Sequence, residues 1–324
     1  MKTLSDLDLT QLLSLPSEAS SFLKASENFD RGAMLFQELS AVELEDAILQ
    51  IRKRISVDSQ KVGVAERSEV WEEGWRENEA LFRKVQVWEA LQPRYYLRNR
   101  SITSCVTGFH IYRLFGRLVQ TPRIDFESQI AEAHRTLLFG FISSLLPSAP
   151  PIVMDIGCGP GLNLLALHRT FPNSDLIAAD FVESALECSE AALINAGANS
   201  TVMPFDFTNP PTNLSLPAGS LVVTIGALEQ VGDPKALEQF KAWILRQRGV
   251  WFCHSEPFSE MYQSDVFLDD LMVLFAKKRG YTTGFLPWTR SQFDLGALAS
   301  FHEQRVRIGS ALLEGYNYCI YEVR

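Results

Sequence analysis

Long apolar runs are missing from this 324-residue chain. No stretch approaches the roughly 18 residues that a membrane-spanning helix needs, so no membrane partner is expected. Grouped metal ligands are missing too. The cysteines Cys105, Cys158, Cys188, Cys253 and Cys319 are scattered and odd in number, and no CxxC or Cys/His pair has ligand spacing. With no His/carboxylate set to hold a divalent cation either, no metal is expected and metal-dependent catechol-type chemistry is disfavoured. An apolar leader segment is not seen, so the expectation is a cytoplasmic protein with free thiols. Basic runs are short, Arg52-Lys53-Arg54 and Lys277-Lys278-Arg279, against a formal net charge of -9. A nucleic-acid binder carries a basic face to neutralise phosphates, so nucleic acid is not favoured as a partner. Internal repeats and low-complexity tracts are absent.

What is present falls into two rhythms. Hydrophobic residues make up 46% of the chain, enough for one large domain or two ordinary ones. Residues 1–148 read as a mainly helical cap or substrate region. In AMLFQELSAVELEDAILQIRKRI, Leu35, Leu39, Leu44, Ile48 and Ile51 recur at helical intervals. Trp71, Trp75, Phe82, Val85 and Trp88 line one side of a second helical segment, with core anchoring the favoured role for the tryptophans. An irregular stretch rich in Arg and aromatics follows, and a further helix ends at PSAPP, a stop signal. Over 149–324 short apolar runs alternate with helical segments: PIVMDIG, DLIAAD, STVMPFDF, GSLVVTIGA and GVWFCHSEPF. That alternation predicts an α/β fold, a doubly wound, mostly parallel sheet covered on both faces. The tail EQRVRIGSALLEGYNYCIYEV predicts an antiparallel edge pair, and an insertion is expected at about 257–290.

Asp155, Gly157, Gly159 and Gly161 form DIGCGPG directly after the first apolar run. In an open α/β sheet this first strand-to-helix turn is where ligands approach the backbone. A dinucleotide fingerprint needs Gly or Ala five residues after Gly157, and Leu162 stands there. A P-loop needs Gly-Lys-Ser/Thr, which is absent. An acid two residues before the first glycine would repel a pyrophosphate and suits a ligand with a cationic end.

With these residues the sequence resembles the class I S-adenosylmethionine-dependent methyltransferases. The resemblance covers Pro151 to about Pro257 and implies a seven-stranded Rossmann-like sheet and S-adenosyl-L-methionine as cofactor. It implies a donor site at Asp155, Gly157, Cys158, Gly159, Gly161 and Asn163. Asp180, with Phe181 beside it, matches the acid that pairs with both ribose hydroxyls. Asp206 matches the contact to the adenine amino group, with Phe207 for ring contact. TIGALEQV matches the fourth-strand motif and adds Gly226 and Ala227. Many relatives have His after the Glu of that motif; here Gln230 stands there, and glutamine has no titratable proton to serve as a general base. A weaker resemblance, through VTIGALEQVG, CHSEPFSEMY and KKRGYTTGFLP, is to bacterial sugar O-methyltransferases.

A hydroxyl acceptor needs a general base within hydrogen-bond reach. Glu229, His254 and Glu256 stand at strand ends, and His254 and Glu256 share a face if their strand stays extended. Glu229 has a competing role at the methionine end of the cofactor, and Glu256 one as a cap. Acceptor contacts are expected from Tyr95, Tyr96, Arg98, His134, Tyr262 and Trp288, unless those residues tie the cap to the core. The expected reaction is methyl transfer to a small-molecule hydroxyl, of a sugar or secondary-metabolite intermediate. N- or C-methylation, a tRNA or protein acceptor, and a non-catalytic cofactor-binding module are the alternatives. A homodimer is compatible with the sequence.

Overall fold

A seven-stranded sheet carries the C-terminal half, and the reason lies in how its strands bury residues. The computed structural model describes residues 1–24, 26, 28–62, 65–92, 110–123 and 125–324, with the backbone alone at 65–68. The central strands are β5 (Ile152–Ile156), β6 (Asp175–Asp180), β7 (Ser200–Pro204), β8 (Leu221–Ile225) and β9 (Trp251–Ser255). Val153, Val223 and Cys253 face one core while Met154, Val222 and Phe252 face another. A strand buried on both sides reads as a continuous apolar run because alternate side chains enter different cores.

These strands run parallel in the order β7-β6-β5-β8-β9, followed by β12 (Tyr318–Val323) and β10 (Leu298–Gln304). β12 is antiparallel to both of its neighbours, β9 and β10. The expected antiparallel pair is therefore present, but its first member lies upstream of the RVRIGS segment. Helices α5 (Phe126–Leu145) and α6 (Leu162–Thr170) contribute to the first core, α8 (Pro234–Arg246) and α10 (Phe285–Asp294) to the second. The order reverses at β5, whose neighbours are β6 and β8, so the crevice above β5 is the switch point at which open sheets bind ligands.

The N-terminal half is mainly helical among its described residues, with one addition that the sequence does not announce. It carries a second, antiparallel sheet in the order β1-β2-β4-β3-β11, built from Lys2–Thr3, Leu35–Glu38, Arg117–Thr121, His110–Leu114 and Ile308–Ser310. Ser40 and Glu43 form a capping box that starts α3 (Ala41–Val57). That cap cuts LFQE off from the helix and leaves it extended. β3 and β4 meet through Phe115 and Gly116, with φ of 54° and 75°. Those paired positive angles match the twist of a tight hairpin, although Phe-Gly is not a usual hairpin signature. β11 pairs with β3, Ile308 opposite Leu114, so a strand from the C-terminal half completes the N-terminal sheet. Helix α4 (Ala65–Val85) lies against α7 (Glu183–Asn195), where Phe82 meets Cys188 and Ala192.

Candidate active site

The turn after β5 is held open by glycine for steric reasons. Gly157, Gly159 and Gly161 have φ of 75°, 51° and 88°, a region L side chains rarely adopt. A Cβ at Gly157 would lie 2.4 Å from the Cβ of Ala227, and one at Gly161 would lie 3.0 Å from that of Ser189. The amides of Gly157 and Cys158 donate to the Ala179 carbonyl at 2.7 and 3.1 Å, pinning the turn to β6. Gly161 then caps α6. Cys158 is buried with its sulfur toward Ser189, and burial raises its pKa well above the usual thiol value, so it is a packed thiol and not a reactive one.

Two acids flank this turn. Asp180, at the end of β6, accepts from the Gly159 amide at 3.0 Å and from the Val182 amide at 3.0 Å. Burial raises its pKa, and these backbone bonds oppose the rise. A carboxylate has lone pairs beyond those two bonds with which to accept hydroxyls. Asp155 is fully buried, and neither of its carboxylate oxygens completes a hydrogen bond. Burial drives its pKa to about 7, which the Asn163 amide only partly offsets. A buried acid that the nearby Asn163 amide satisfies only in part is costly to ionise unless a ligand supplies a further partner. Phe181 is 52% exposed beside Asp180. Asp206 is exposed, and its carboxylate closes its own turn through the Thr208 amide and hydroxyl, both at 2.7 Å. Phe207 packs edge-on against Phe205 and Phe240.

Across the crevice, β8 ends in Gly226, Ala227 and the turn to Gln230. Glu256 organises that turn: its carboxylate accepts from the Thr224 hydroxyl at 2.8 Å and from the amides of Ala227, Leu228 and Glu229 at 3.3, 3.2 and 3.4 Å. Burial, then the nearby Glu229 carboxylate, raises the Glu256 pKa well above the usual value, against these donors. One Glu229 oxygen accepts from the Gln230 amide at 2.8 Å, and the other is buried without a partner. The Cβ position of Gly226 lies 4.0 Å from the Gln230-bonded oxygen of Glu229.

Strand alternation does bring His254 and Glu256 together, because both bond the Thr224 hydroxyl. His254 is nonetheless sealed off. Its other ring nitrogen meets the Tyr321 hydroxyl at 2.9 Å, and Phe240, Phe252 and Phe285 surround it. Burial lowers its pKa to about 3, so it is an uncharged imidazole at neutral pH and stands in a core rather than at the crevice. His134 departs from the acceptor-contact expectation in the same way. It is buried, 3.1 Å from the Ser255 hydroxyl and against the Tyr316 ring, with a pKa lowered to about 3 by burial.

Tyr262 and Trp288 serve packing. The Tyr262 hydroxyl donates to the Glu314 carbonyl, and its ring lies under Arg305. Trp288 packs on Phe285 and under the Lys241 ammonium. Tyr95, Tyr96 and Arg98 lie outside the described residues. Tyr321 belongs to no local motif, Thr224 opens the TIGALEQV motif without a role there, and the helical spacing of Trp75 points to the core. Among the described residues, no group of three or more His, Cys, Asp or Glu is placed to hold a metal, and no helix is long and apolar enough to cross a membrane.

Residues 153–248 match the family model described as a methyltransferase domain. No curated protein matches the chain. Among solved structures, a geranyl diphosphate methyltransferase in complex with GPP and sinefungin is 14% identical, with a TM-score of 0.43 over 61% of this chain and 81% of that one. The plantazolicin methyltransferase BpumL is 11% identical, with a TM-score of 0.42 over 80% of this chain and 98% of that one. An O-methyltransferase family protein from Burkholderia thailandensis is 11% identical, with a TM-score of 0.40 over 61% and 60%. By the family match, residues 153–248 are a methyltransferase domain. The buried Asp155 carboxylate, whose oxygens complete no hydrogen bond, and the bare backbone at Gly157, Gly159 and Gly161 fit a ligand with a cationic end.

Proposed function

We propose that this methyltransferase acts on a hydroxyl of a small molecule, a sugar or a secondary-metabolite intermediate. The carrying observation is the half-buried Glu229 carboxylate at the exit of β8, one oxygen held by the Gln230 amide and 4.0 Å from the Cβ position of Gly226, with the Glu256 carboxyl beside it. When bound, the cofactor supplies an electrophilic methyl on a cationic sulfur. Around it, the turn from Gly157 to Gly161 gives backbone contact, Asp155 faces the cationic end, and Asp180 accepts the ribose hydroxyls. Asp206 and Phe207 border the base once the Asp206 turn opens. Glu229 would take the proton of the acceptor hydroxyl as that oxygen is methylated. Glu256 holds the turn that presents Glu229 and is a positioning residue. Residues 1–148, with the insertion at about 257–290, supply acceptor recognition, and residues 149–324 carry the donor site. The net charge of -9 favours a small acceptor over a nucleic acid.

The test is a panel of sugar and phenolic hydroxyl acceptors, read as S-adenosylhomocysteine formed. Glu229→Gln should lower kcat by about 10²–10⁴-fold, the scale of a lost general base, and leave product affinity in place. Loss of S-adenosylhomocysteine affinity instead would move Glu229 to the donor side, and unchanged turnover would remove it from the chemistry. Asp180→Ala should weaken S-adenosylhomocysteine binding by about 1–3 kcal/mol.

A further inference from the structure

Two large aromatic residues of the N-terminal half stand where a core role does not account for them. Trp71 and Trp75 lie one helical turn apart on α4, with rings stacked at 5.5 Å and 14°. Both are only half-buried, and neither belongs to any of the apolar clusters formed by the described residues. The cluster between α4 and α7 is built further along the helix, from Phe82 and Leu81 against Cys188 and Ala192. The tryptophans sit nearer the crevice. A Cβ at Gly159 would lie 3.3 Å from the Cζ2 of Trp75 and 3.6 Å from its Cε2 and Cη2. The benzene edge of the indole therefore rests on the glycine turn, at the residue whose amide bonds Asp180.

The helix is fastened in that place. The Ser184 hydroxyl donates to the Glu72 carbonyl at 2.9 Å, and the Ser184 amide donates to the Glu72 carboxylate at 3.3 Å. Ser184 begins the helix that follows Asp180, so one residue of α4, placed between the two tryptophans, is bound to the element that leaves the donor acid. Further along, the Asn78 amide holds the carbonyls of Ala90 and Gln92 at 2.7 and 2.8 Å. A tryptophan lodged only for packing is expected within an apolar cluster. An indole laid on a glycine of that turn and only half-buried is instead available to a flat heterocycle or to a cation over its face.

We infer that Trp75 is a cofactor-contacting residue, and that α4 roofs the methyl-donor pocket and completes it from the N-terminal half. The inference rests on the donor reading of the turn from Asp155 to Gly161. Trp71 backs Trp75 and holds the plane of its ring; Glu72 holds the helix over the turn. Trp75 faces either part of the ligand that an indole recognises, the purine or the sulfonium. The purine is common to S-adenosylmethionine and S-adenosylhomocysteine, whereas the positive charge belongs to the donor alone.

Isothermal titration of the full chain with each of the two ligands tests this, alongside Trp75→Ala, Trp75→Phe and their melting temperatures. Trp75→Ala should weaken binding by about tenfold or more, the scale of a lost aromatic or cation–π contact, while Trp75→Phe retains most of it. An equal loss for both ligands assigns purine stacking, and a larger loss for S-adenosylmethionine assigns the sulfonium. The emission of wild-type tryptophan should change on binding, and that change should vanish in Trp75→Phe, a readout that does not need the alanine variant to fold. If the wild type binds and its emission, Trp75→Phe and Trp75→Ala all leave binding unmoved within about twofold, the inference fails alone. If the wild type binds neither ligand, the donor reading fails and the inference with it.

Discussion

Replacing Asp155 by Asn tests whether the crevice above β5 was built for a positive charge. The carboxyl is fully buried, neither oxygen completes a hydrogen bond, and burial holds its pKa at about 7. An unfolded Asp titrates near 4, so between about pH 4 and 7 the folded chain keeps a proton that the unfolded chain has released. The sign follows directly. Stability from this group is full below about pH 4, falls as pH rises, and levels off above about pH 7. At 1.36 kcal/mol per unit, the difference across the window is on the order of 4 kcal/mol for the unliganded chain. Asparagine carries no such proton, so the gap in stability between Asp155→Asn and the wild type should widen toward high pH in the variant's favour. Binding should respond in the opposite sense. A ligand that carries an ammonium favours the ionised carboxylate, so affinity for S-adenosylhomocysteine should rise up to about tenfold per pH unit between pH 5 and 7, then flatten. The ligand's own amine stays protonated through that window, since α-amino groups titrate near 8. Thermal melts across pH, with titrations in buffers of different ionisation enthalpy, read both effects and count the released proton. A pH-independent gap between the two proteins, together with flat affinity below pH 7, would refute the reasoning.

Gly157→Ala should cost about 2–4 kcal/mol and abolish measurable S-adenosylhomocysteine binding, because the new Cβ meets that of Ala227 at 2.4 Å and φ stays positive. Adding Ala227→Gly removes the collision but not the backbone strain, so denaturation should show only partial rescue; full rescue would assign the whole cost to the collision. Arg305→Met should destabilise by about 3–5 kcal/mol in urea, since it strands two buried acids. Arg305 meets Asp269 at 2.7 Å and Glu314 at 2.7 Å, and Glu314 has no exposed surface. An unchanged midpoint would show that the pair is not what joins the insertion to β11.

The donor half of the site was legible because its constraints close over a few residues. Asp155 to Gly161 is a turn whose backbone angles exclude side chains and whose acid excludes a phosphate. The apolar runs of β5, β6, β8 and β9 identify themselves because both faces are buried. The smaller sheet was not legible. β3 reads His-Ile-Tyr-Arg-Leu, with Arg113 as fully buried as Leu114, so neither alternation nor an apolar run marks it as a strand. Its pairing partner β11 lies in the other half of the chain. Glu256 was legible as a strand-end acid, but its work is to receive amides from residues 227–229, and no spacing rule couples those positions.

Trp75 shows the same limit from the other side. One tryptophan per helical turn is the pattern of a core anchor, and only the approach of Gly159, in another element, separates that reading from a roof over a ligand. The surroundings of the turn are assembled from such meetings: α4 on the glycine turn, Val62 on Arg279, Thr282 on the turn after β8. Each joins segments distant in sequence and chemically unrelated, so their order along the chain carries no trace of the contact. The turn that binds the donor must satisfy one fixed ligand with local backbone, whereas acceptor specificity is free to be built by tertiary packing. A single sequence therefore reports the methyl donor through its turn and leaves the contacts made between distant elements, α4 among them, to the three-dimensional arrangement.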